Sequence, residues 1–179
     1  MSPARCVVLV GFMGAGKTTI GARLAQRLGW RFIDFDEEIV RRAGMSIADL
    51  FRTQGEMAFR AMEQRLTAEL SCVTGAVLAP GGGWIMRPGA LESLPPVARV
   101  VWLRVTPEEA VRRVRESDVE RPLLAGPDPL GAARQLLAQR EPLYGHADFI
   151  VDADEATPDE ITRRIVAFLE FENHGDTQE

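Results

Sequence analysis

A short glycine-rich stretch near the start of the chain has the residue types needed to hold phosphate groups. The letters GFMGAGKT at residues 11–18 match the pattern Gly-x4-Gly-Lys-Thr in full. In such loops, backbone N–H groups contact phosphate oxygens, and the positive end of the following helix attracts negative charge. Lys17 would contact the β- and γ-phosphates of a nucleotide, and the Thr18 hydroxyl would be a Mg²⁺ ligand. The predicted nucleotide-binding residues are Gly14, Ala15, Gly16, Lys17, Thr18 and Thr19.

The sequence on either side of this loop supports a phosphate site. An apolar run, CVVLV, precedes the loop and predicts a buried strand. The residues after the loop place Ile20, Leu24 and Leu28 on one face of a helix. The alternative is a glycine-rich turn that only packs the strand against the helix, and the complete motif in this setting favours nucleotide binding over it.

Two acidic residues follow the second predicted strand, in the stretch IDFDEEI. In extended backbone, Asp34 and Asp36 would point to the same side and could face one site. The alternative is a helix start, where acidic residues are also favoured. A phosphate-loop enzyme needs an acid near Mg²⁺, and the third strand offers only Ala79 where such an acid commonly stands. We therefore predict Asp34 near the metal and Asp36 at a substrate hydroxyl, which it would orient and whose proton it could accept.

Two arginines and three glycines are candidates for a second, anionic substrate. Arg60 and Glu63 are an i,i+3 pair, so the acid could hold the guanidinium in place, although spacing alone favours a solvated surface pair. Arg140, taken alone, would most often be a surface charge. The glycines Gly81, Gly82 and Gly83 could form a shelf for a small ring, a tight turn after a strand, or both.

A segment at about 115–131 is rich in charge, proline and glycine and has little periodicity. Loops of this length in compact domains are usually functional. A site that transfers a phosphoryl group must exclude water, so the segment is predicted to be a lid.

The elements that must position these residues alternate between strands and helices. Five short apolar strands are separated by helical segments, which predicts a five-stranded, doubly wound parallel α/β sheet with helices on both faces. Ser46, Thr106 and Thr157 are placed to cap helices. Ligands of such sheets bind at the carboxyl ends of the strands, where the candidate loops fall. We predict one domain over residues 1–172 and a disordered tail over 173–179.

Composition narrows the classes of partner. The net charge of −5 disfavours a general nucleic-acid or membrane surface, while leaving room for a local anion site. Cys6 and Cys72 lack the spacing of a zinc site and are predicted to be reduced thiols. No run reaches the length of a membrane helix and no signal peptide is recognisable, so the expectation is a cytoplasmic monomer.

The motifs together resemble the shikimate kinase family over nearly the whole chain. The resemblance lies in GFMGAGKTTIG, DFDEEI, SIADLF, GEMAFRAMEQ, PGGG, RPLL and REPLYGHAD, in the order and near the spacing of the family. It implies a P-loop kinase that transfers the γ-phosphoryl group of ATP, with Mg²⁺, to the 3-hydroxyl of shikimate. It also implies that Arg60 and Arg140 bind the shikimate carboxylate and that Arg121 acts on the transferring group. Arg113 would flank the adenine.

The sequence departs from the family pattern at two positions. Ala79 stands where some members have a serine near the metal's water shell, and Trp84 follows the glycines where smaller aliphatic residues are frequent. A bulky indole there could tighten or alter the acceptor pocket. Two alternatives therefore remain at this point: a related kinase of another small hydroxy acid such as gluconate, and a nucleotide-sensing regulator without turnover.

Overall fold

The computed structural model describes residues 5–117, 122–124 and 126–175. Within this part of the chain, five parallel strands form one sheet in the order β2-β3-β1-β4-β5. The strands are β1 (Cys6–Val10), β2 (Arg31–Asp34), β3 (Ala76–Ala79), β4 (Ala98–Arg104) and β5 (Phe149–Asp152). The predicted fold class is confirmed.

Helices fill the connections between the strands. They are α1 (Lys17–Leu28), α2 (Phe35–Ala43), α3 (Ile47–Glu69), α4 (Pro107–Glu116), α5 (Pro129–Tyr144) and α6 (Pro158–Gly175), with single 3₁₀ turns at Trp84–Met86 and Pro122–Leu124. The connection from β1 to β2 runs along the sheet in the opposite direction to the later connections. With the right-handed crossovers that are general in parallel sheets, α1 falls on one face and α2 to α5 on the other, in agreement with the contact of α1 with α6.

The central strand β1 explains the apolar run that precedes the phosphate loop. It pairs with β3 on one side and β4 on the other, and all five of its residues are buried. A strand covered on both faces and both edges has no polar surroundings, so every position is apolar. The loop that follows is therefore attached to the buried central strand of the sheet.

The helix boundaries follow the predicted caps. The hydroxyls of Ser46, Thr106 and Thr157 each accept a hydrogen bond from the backbone N–H three residues later. Gly55 has φ +82° and ψ 168°, which kinks α3 and divides it into two helical segments. Inside the segment predicted to be a lid, α4 extends to Glu116 and α5 begins at Pro129, after an Asp128 cap.

The last helix reaches Gly175, three residues beyond the predicted domain limit, and residues 176–179 lie outside the described part of the chain. None of the helices in the described ranges combines the length and the hydropathy needed to cross a bilayer.

Candidate active site

The phosphate loop has a backbone that only glycine adopts easily. Gly14 and Gly16 have φ values of +79° and +88°, in the left-handed region. A Cβ at Gly14 would also stand 2.9 Å from the carbonyl oxygen of Ala110, below any normal contact. Helix α1 starts at Lys17, directly after Gly16, so its N-terminal N–H groups face the loop. The geometry is that of an anion-binding cradle.

The Lys17 ammonium lies over this cradle. Its Nζ donates to the carbonyl oxygens of Gly11 at 2.8 Å and Phe12 at 3.2 Å. Ala15, at the floor of the loop, is fully buried. The only positive side chain of the motif is therefore held where the β- and γ-phosphates of a nucleotide are expected.

Thr18 and Asp34 meet beside the loop. Thr18 Oγ1 donates to Asp34 Oδ2 at 2.7 Å, although the two residues belong to different elements. Asp34 pairs in register with Ala79, so it stands next to the strand end that lacks an acid. Mg²⁺ prefers hard oxygen ligands, and the Thr18 hydroxyl and the Asp34 carboxylate supply two of them side by side. The residues present therefore fit the predicted ion.

The extended arrangement expected for Asp34 and Asp36 is wrong, and the helix-start interpretation is right. Asp34 is the N-cap of α2, and its Oδ1 accepts from the backbone N–H of Asp36 at 3.0 Å and of Glu37 at 3.4 Å. The first N–H groups of a helix have no intrahelical partner, so a carboxylate at this position satisfies them. Asp36 therefore lies in the first turn of α2.

Arg60 and Glu63 form a hydrogen-bonded pair on α3. Arg60 Nη1 donates to Glu63 Oε2 at 2.6 Å, and Glu56 holds the same guanidinium from the other side. The solvated surface pair favoured by spacing alone is wrong, because Glu63 is only 2% exposed. Burial raises the pKa of the Glu63 carboxyl, and the hydrogen bond from Arg60 opposes that rise. Glu63 therefore fixes the direction in which Arg60 points.

The three glycines of residues 81–83 bring these side chains to one place. A Cβ at Gly81 would stand 3.0 Å from Glu63 Oε1 and 3.2 Å from Asp36 Oδ1. A Cβ at Gly83 would stand 2.8 Å from Arg60 Nη2. We call residues 81–83 the glycine segment. Its lack of side chains allows two carboxylates and a guanidinium to approach the same backbone.

Arg140 reaches the glycine segment from α5. It is 6% exposed, and its Nη1 would be 3.4 Å from a Cβ at Gly82. Its guanidinium lies over the Phe12 ring, 5.4 Å from the centroid, and no described residue hydrogen-bonds to Nη1. The expectation that a lone arginine would be a surface charge is wrong here. Its buried, incompletely paired cation is aimed at the site and suits an anionic ligand.

Two side chains of the site were not singled out from the sequence, although both lie inside motifs that carry the family resemblance. Tyr144 is buried, donates its hydroxyl hydrogen to the carbonyl oxygen of Gly82 at 2.9 Å, and stacks on Trp102. Phe12 lies under Arg140. Tyr144 stands one helical turn after Arg140, and this spacing is the one clue that could have indicated it.

Arg113 joins the phosphate loop to the loop after β5. It donates to Gly14 O at 3.3 Å and to the carbonyl oxygens of Ala153 and Asp154, while Glu109 holds its Nε at 2.6 Å. Its proposed contact with adenine stays a prediction. Arg121 lies outside the described residues, so its predicted role also stays a prediction.

The parallel sheet, the phosphate loop after its central strand and the two arginines that meet beside it at the glycine segment define a P-loop phosphotransferase fold. The family model described as "Shikimate kinase" matches residues 13–170. A shikimate kinase of Synechococcus sp. (strain RCC307) is 43% identical over 161 residues, which is 90% of this chain and 82% of that protein. The chain belongs to the shikimate kinase family.

Solved structures agree with this assignment. A shikimate kinase from Acinetobacter baumannii, in complex with shikimate, superimposes with a TM-score of 0.88 at 35% identity and covers 94% of both chains. A gluconokinase from Sinorhizobium meliloti 1021 superimposes with a TM-score of 0.61 at 20% identity, a likeness that shows the fold alone.

Proposed function

We propose that this chain transfers the γ-phosphoryl group of ATP to the 3-hydroxyl of shikimate, giving shikimate 3-phosphate for aromatic amino-acid biosynthesis. The observation that carries the proposal is the meeting of Arg60, Arg140 and Asp36 around the glycine segment. A Cβ at Gly82 would be 3.5 Å from Gly11 O and 3.6 Å from Met13 N, so this pocket adjoins the phosphate loop. The donor and acceptor sites would therefore share a wall.

The charges of the pocket suit a hydroxylated carboxylic acid. Two guanidinium groups can bind one carboxylate with directed, charge-assisted hydrogen bonds. Asp36 lies close to Gly81, where it would accept a hydrogen bond from a ring hydroxyl. Binding at both ends would fix the ring, and positioning of this kind supplies much of the rate enhancement in phosphoryl transfer.

The donor side would be held by the phosphate loop and Lys17. Thr18 and Asp34 would hold Mg²⁺, Asp34 through a water molecule, and a bound Mg²⁺ neutralises charge on the β- and γ-phosphates. Lys17 would neutralise the same phosphates from the other side. Arg113 would flank the adenine, since it already fixes the loop after β5 against the phosphate loop.

Arg121 would complete the site from the lid. We propose that it contacts the transferring phosphoryl group when the lid closes, as an arginine supplied by the same chain. An arginine in this role contributes about 10³- to 10⁵-fold to turnover. Arg121→Ala should therefore lower kcat by orders of magnitude while the dissociation constant of shikimate changes little. Near-normal turnover would refute the role.

We further propose that the enzyme acts as a cytoplasmic monomer, without nucleic-acid or membrane partners. The net charge of −5 supports the absence of these two partners, because nucleic acids and anionic membrane surfaces repel a negatively charged protein.

The test of the proposed function is ADP release from MgATP with shikimate, with gluconate, or with no acceptor. Strong dependence on shikimate is expected. Dependence on gluconate would indicate a different hydroxy-acid kinase. Binding of ATP without release of ADP under all three conditions would indicate a nucleotide sensor. Arg60→Lys is a useful companion variant, because it keeps the charge but loses the planar fork, and it should raise KM for shikimate without changing KM for ATP.

A further inference from the structure

Trp84, the residue directly after the glycine segment, makes an unusual buried polar contact. It is 1% exposed, and its indole Nε1 donates to Thr67 Oγ1 at 3.0 Å. Thr67 is 3% exposed and lies on α3. The Thr67 hydroxyl in turn donates to the carbonyl oxygen of Glu63 at 2.8 Å. The indole is therefore part of the protein interior and does not stand open beside the acceptor.

This contact joins the two walls of the acceptor pocket. At one end, the backbone N–H of Trp84 donates to Gly81 O at 2.9 Å, which closes the turn of the glycine segment. At the other end, Thr67 lies one helical turn after Glu63 and donates to the Glu63 carbonyl oxygen. Glu63 is the residue that orients Arg60. A continuous series of hydrogen bonds thus runs from the glycine segment through the indole to the backbone of α3.

The space between these walls has no room for a side chain on the glycine segment. A Cβ built at Gly81 would stand 3.0 Å from Glu63 Oε1, and one built at Gly83 would stand 2.8 Å from Arg60 Nη2. A change in the separation of the walls would therefore move the guanidinium relative to the glycine backbone. Close-packed interiors transmit such shifts rather than absorb them.

The contact also has a unique direction. The hydroxyl of Thr67 has one hydrogen, which goes to Glu63 O, so the oxygen is left to accept from the indole N–H. The indole N–H and the Thr67 hydroxyl are both hydrogen-bonded only when the glycine segment and α3 are held at a fixed distance and orientation. An apolar pair of the same size would fill the space without this requirement.

We propose that Trp84 and Thr67 are positioning residues that set the distance between the glycine segment and the Arg60–Glu63 pair, and so set the affinity for the acceptor. The proposal rests on the proposed function, because the acceptor is taken to be shikimate. It gives Trp84 a role in acceptor binding without contact between the indole and the substrate.

The test measures KM for shikimate and KM for ATP separately in Trp84→Phe and Thr67→Val. Each variant keeps most of the buried volume. Trp84→Phe removes the indole donor while the Thr67 hydroxyl keeps its bond to Glu63 O, and Thr67→Val leaves the buried indole N–H without its acceptor. We expect KM for shikimate to rise about tenfold in each, with KM for ATP within about twofold of the wild-type value. Thr67→Ser keeps the hydroxyl and should restore most of the affinity for shikimate.

A matched control lies on the other face of the sheet. Thr162 of α6 is also buried, and its hydroxyl also donates to the backbone carbonyl four residues earlier, at Pro158. Thr162→Val removes the same kind of bond far from the glycine segment, so it should leave KM for shikimate unchanged. The double variant Trp84→Phe/Thr67→Val leaves no unpaired group and should lose less affinity than the two single variants added together.

Three results would overturn the proposal: unchanged KM for shikimate in both single variants, an equal rise in KM for ATP, or the same rise in Thr162→Val. The wild-type enzyme is assayed first. If it shows no dependence on shikimate, the proposed function fails and this proposal fails with it. If it depends on shikimate and the variants do not differ from it, only the positioning role is refuted.

Discussion

Replacing Arg140 should have opposite effects on stability and on acceptor binding. Arg140 is 6% exposed, and its Nη1 has no hydrogen-bond partner among the described residues. An incompletely paired buried cation destabilises the protein that carries it. Arg140→Met removes the charge and keeps most of the apolar stem, so we expect the unliganded variant to be as stable as the wild type or more stable.

The magnitude follows from the contacts of the guanidinium. An unsatisfied buried polar group costs about 1–3 kcal/mol, and the contact with the Phe12 ring, 5.4 Å away, returns about 0.5–2 kcal/mol for a buried guanidinium. The change in the free energy of unfolding therefore lies between about −1 and +2.5 kcal/mol, centred slightly above zero, and each 1 kcal/mol corresponds to about 2–4 °C in Tm for a domain of this size. Loss of a buried charge pair with the shikimate carboxylate should cost about 2–4 kcal/mol in binding, or about 30- to 1,000-fold in Kd.

Two measurements on the same variant test this reasoning. Thermal unfolding without ligands gives the change in stability, and calorimetric titration with shikimate gives the change in Kd. Arg140→Lys is the control, because it keeps a charge but cannot make the bidentate contact, and it should lose affinity without gaining stability. A variant Arg140→Met that is less stable by several kcal/mol, or that binds shikimate with unchanged Kd, would refute the reasoning.

Three further predictions concern the metal site, the glycine segment and the single tyrosine. Asp34→Asn keeps the cap of α2, since asparagine caps as well as aspartate, but it should raise the Mg²⁺ concentration needed for turnover by about tenfold or more; a magnesium titration with an unfolding control checks this. Gly83→Ala places a Cβ 2.8 Å from Arg60 Nη2 and should raise KM for shikimate about tenfold while KM for ATP stays the same, and equal effects on both would contradict the assignment. Burial raises the pKa of Tyr144 to about 12, above the value of about 10 in the unfolded chain, so the stability that it contributes is complete below pH 10 and is lost as the pH rises through 12. Tyr144 is the only tyrosine of the sequence, so the tyrosinate absorbance of the folded protein should not rise near pH 10, whereas that of the urea-unfolded protein should.

The sequence determined the parts of this protein that depend on local chemistry. The phosphate loop follows from glycines that reach left-handed backbone and from a lysine and a threonine at fixed offsets. The caps at Thr106 and Thr157 follow from hydroxyls placed three residues before the N–H groups that they accept from. In each case, the interacting groups are only a few residues apart, so their spacing alone limits the geometry.

The tertiary structure decided which long-range groups meet. Spacing could not show that Glu63 and Arg140 are buried, because burial depends on what packs against them from other elements. The same holds for the bond between Thr18 and Asp34, which depends on β2 lying beside β3 at the register that places Asp34 next to Ala79. The contact of Trp84 with Thr67 also joins residues 17 positions apart. Such contacts form only when the whole sheet and its helices pack together, and no local pattern encodes them.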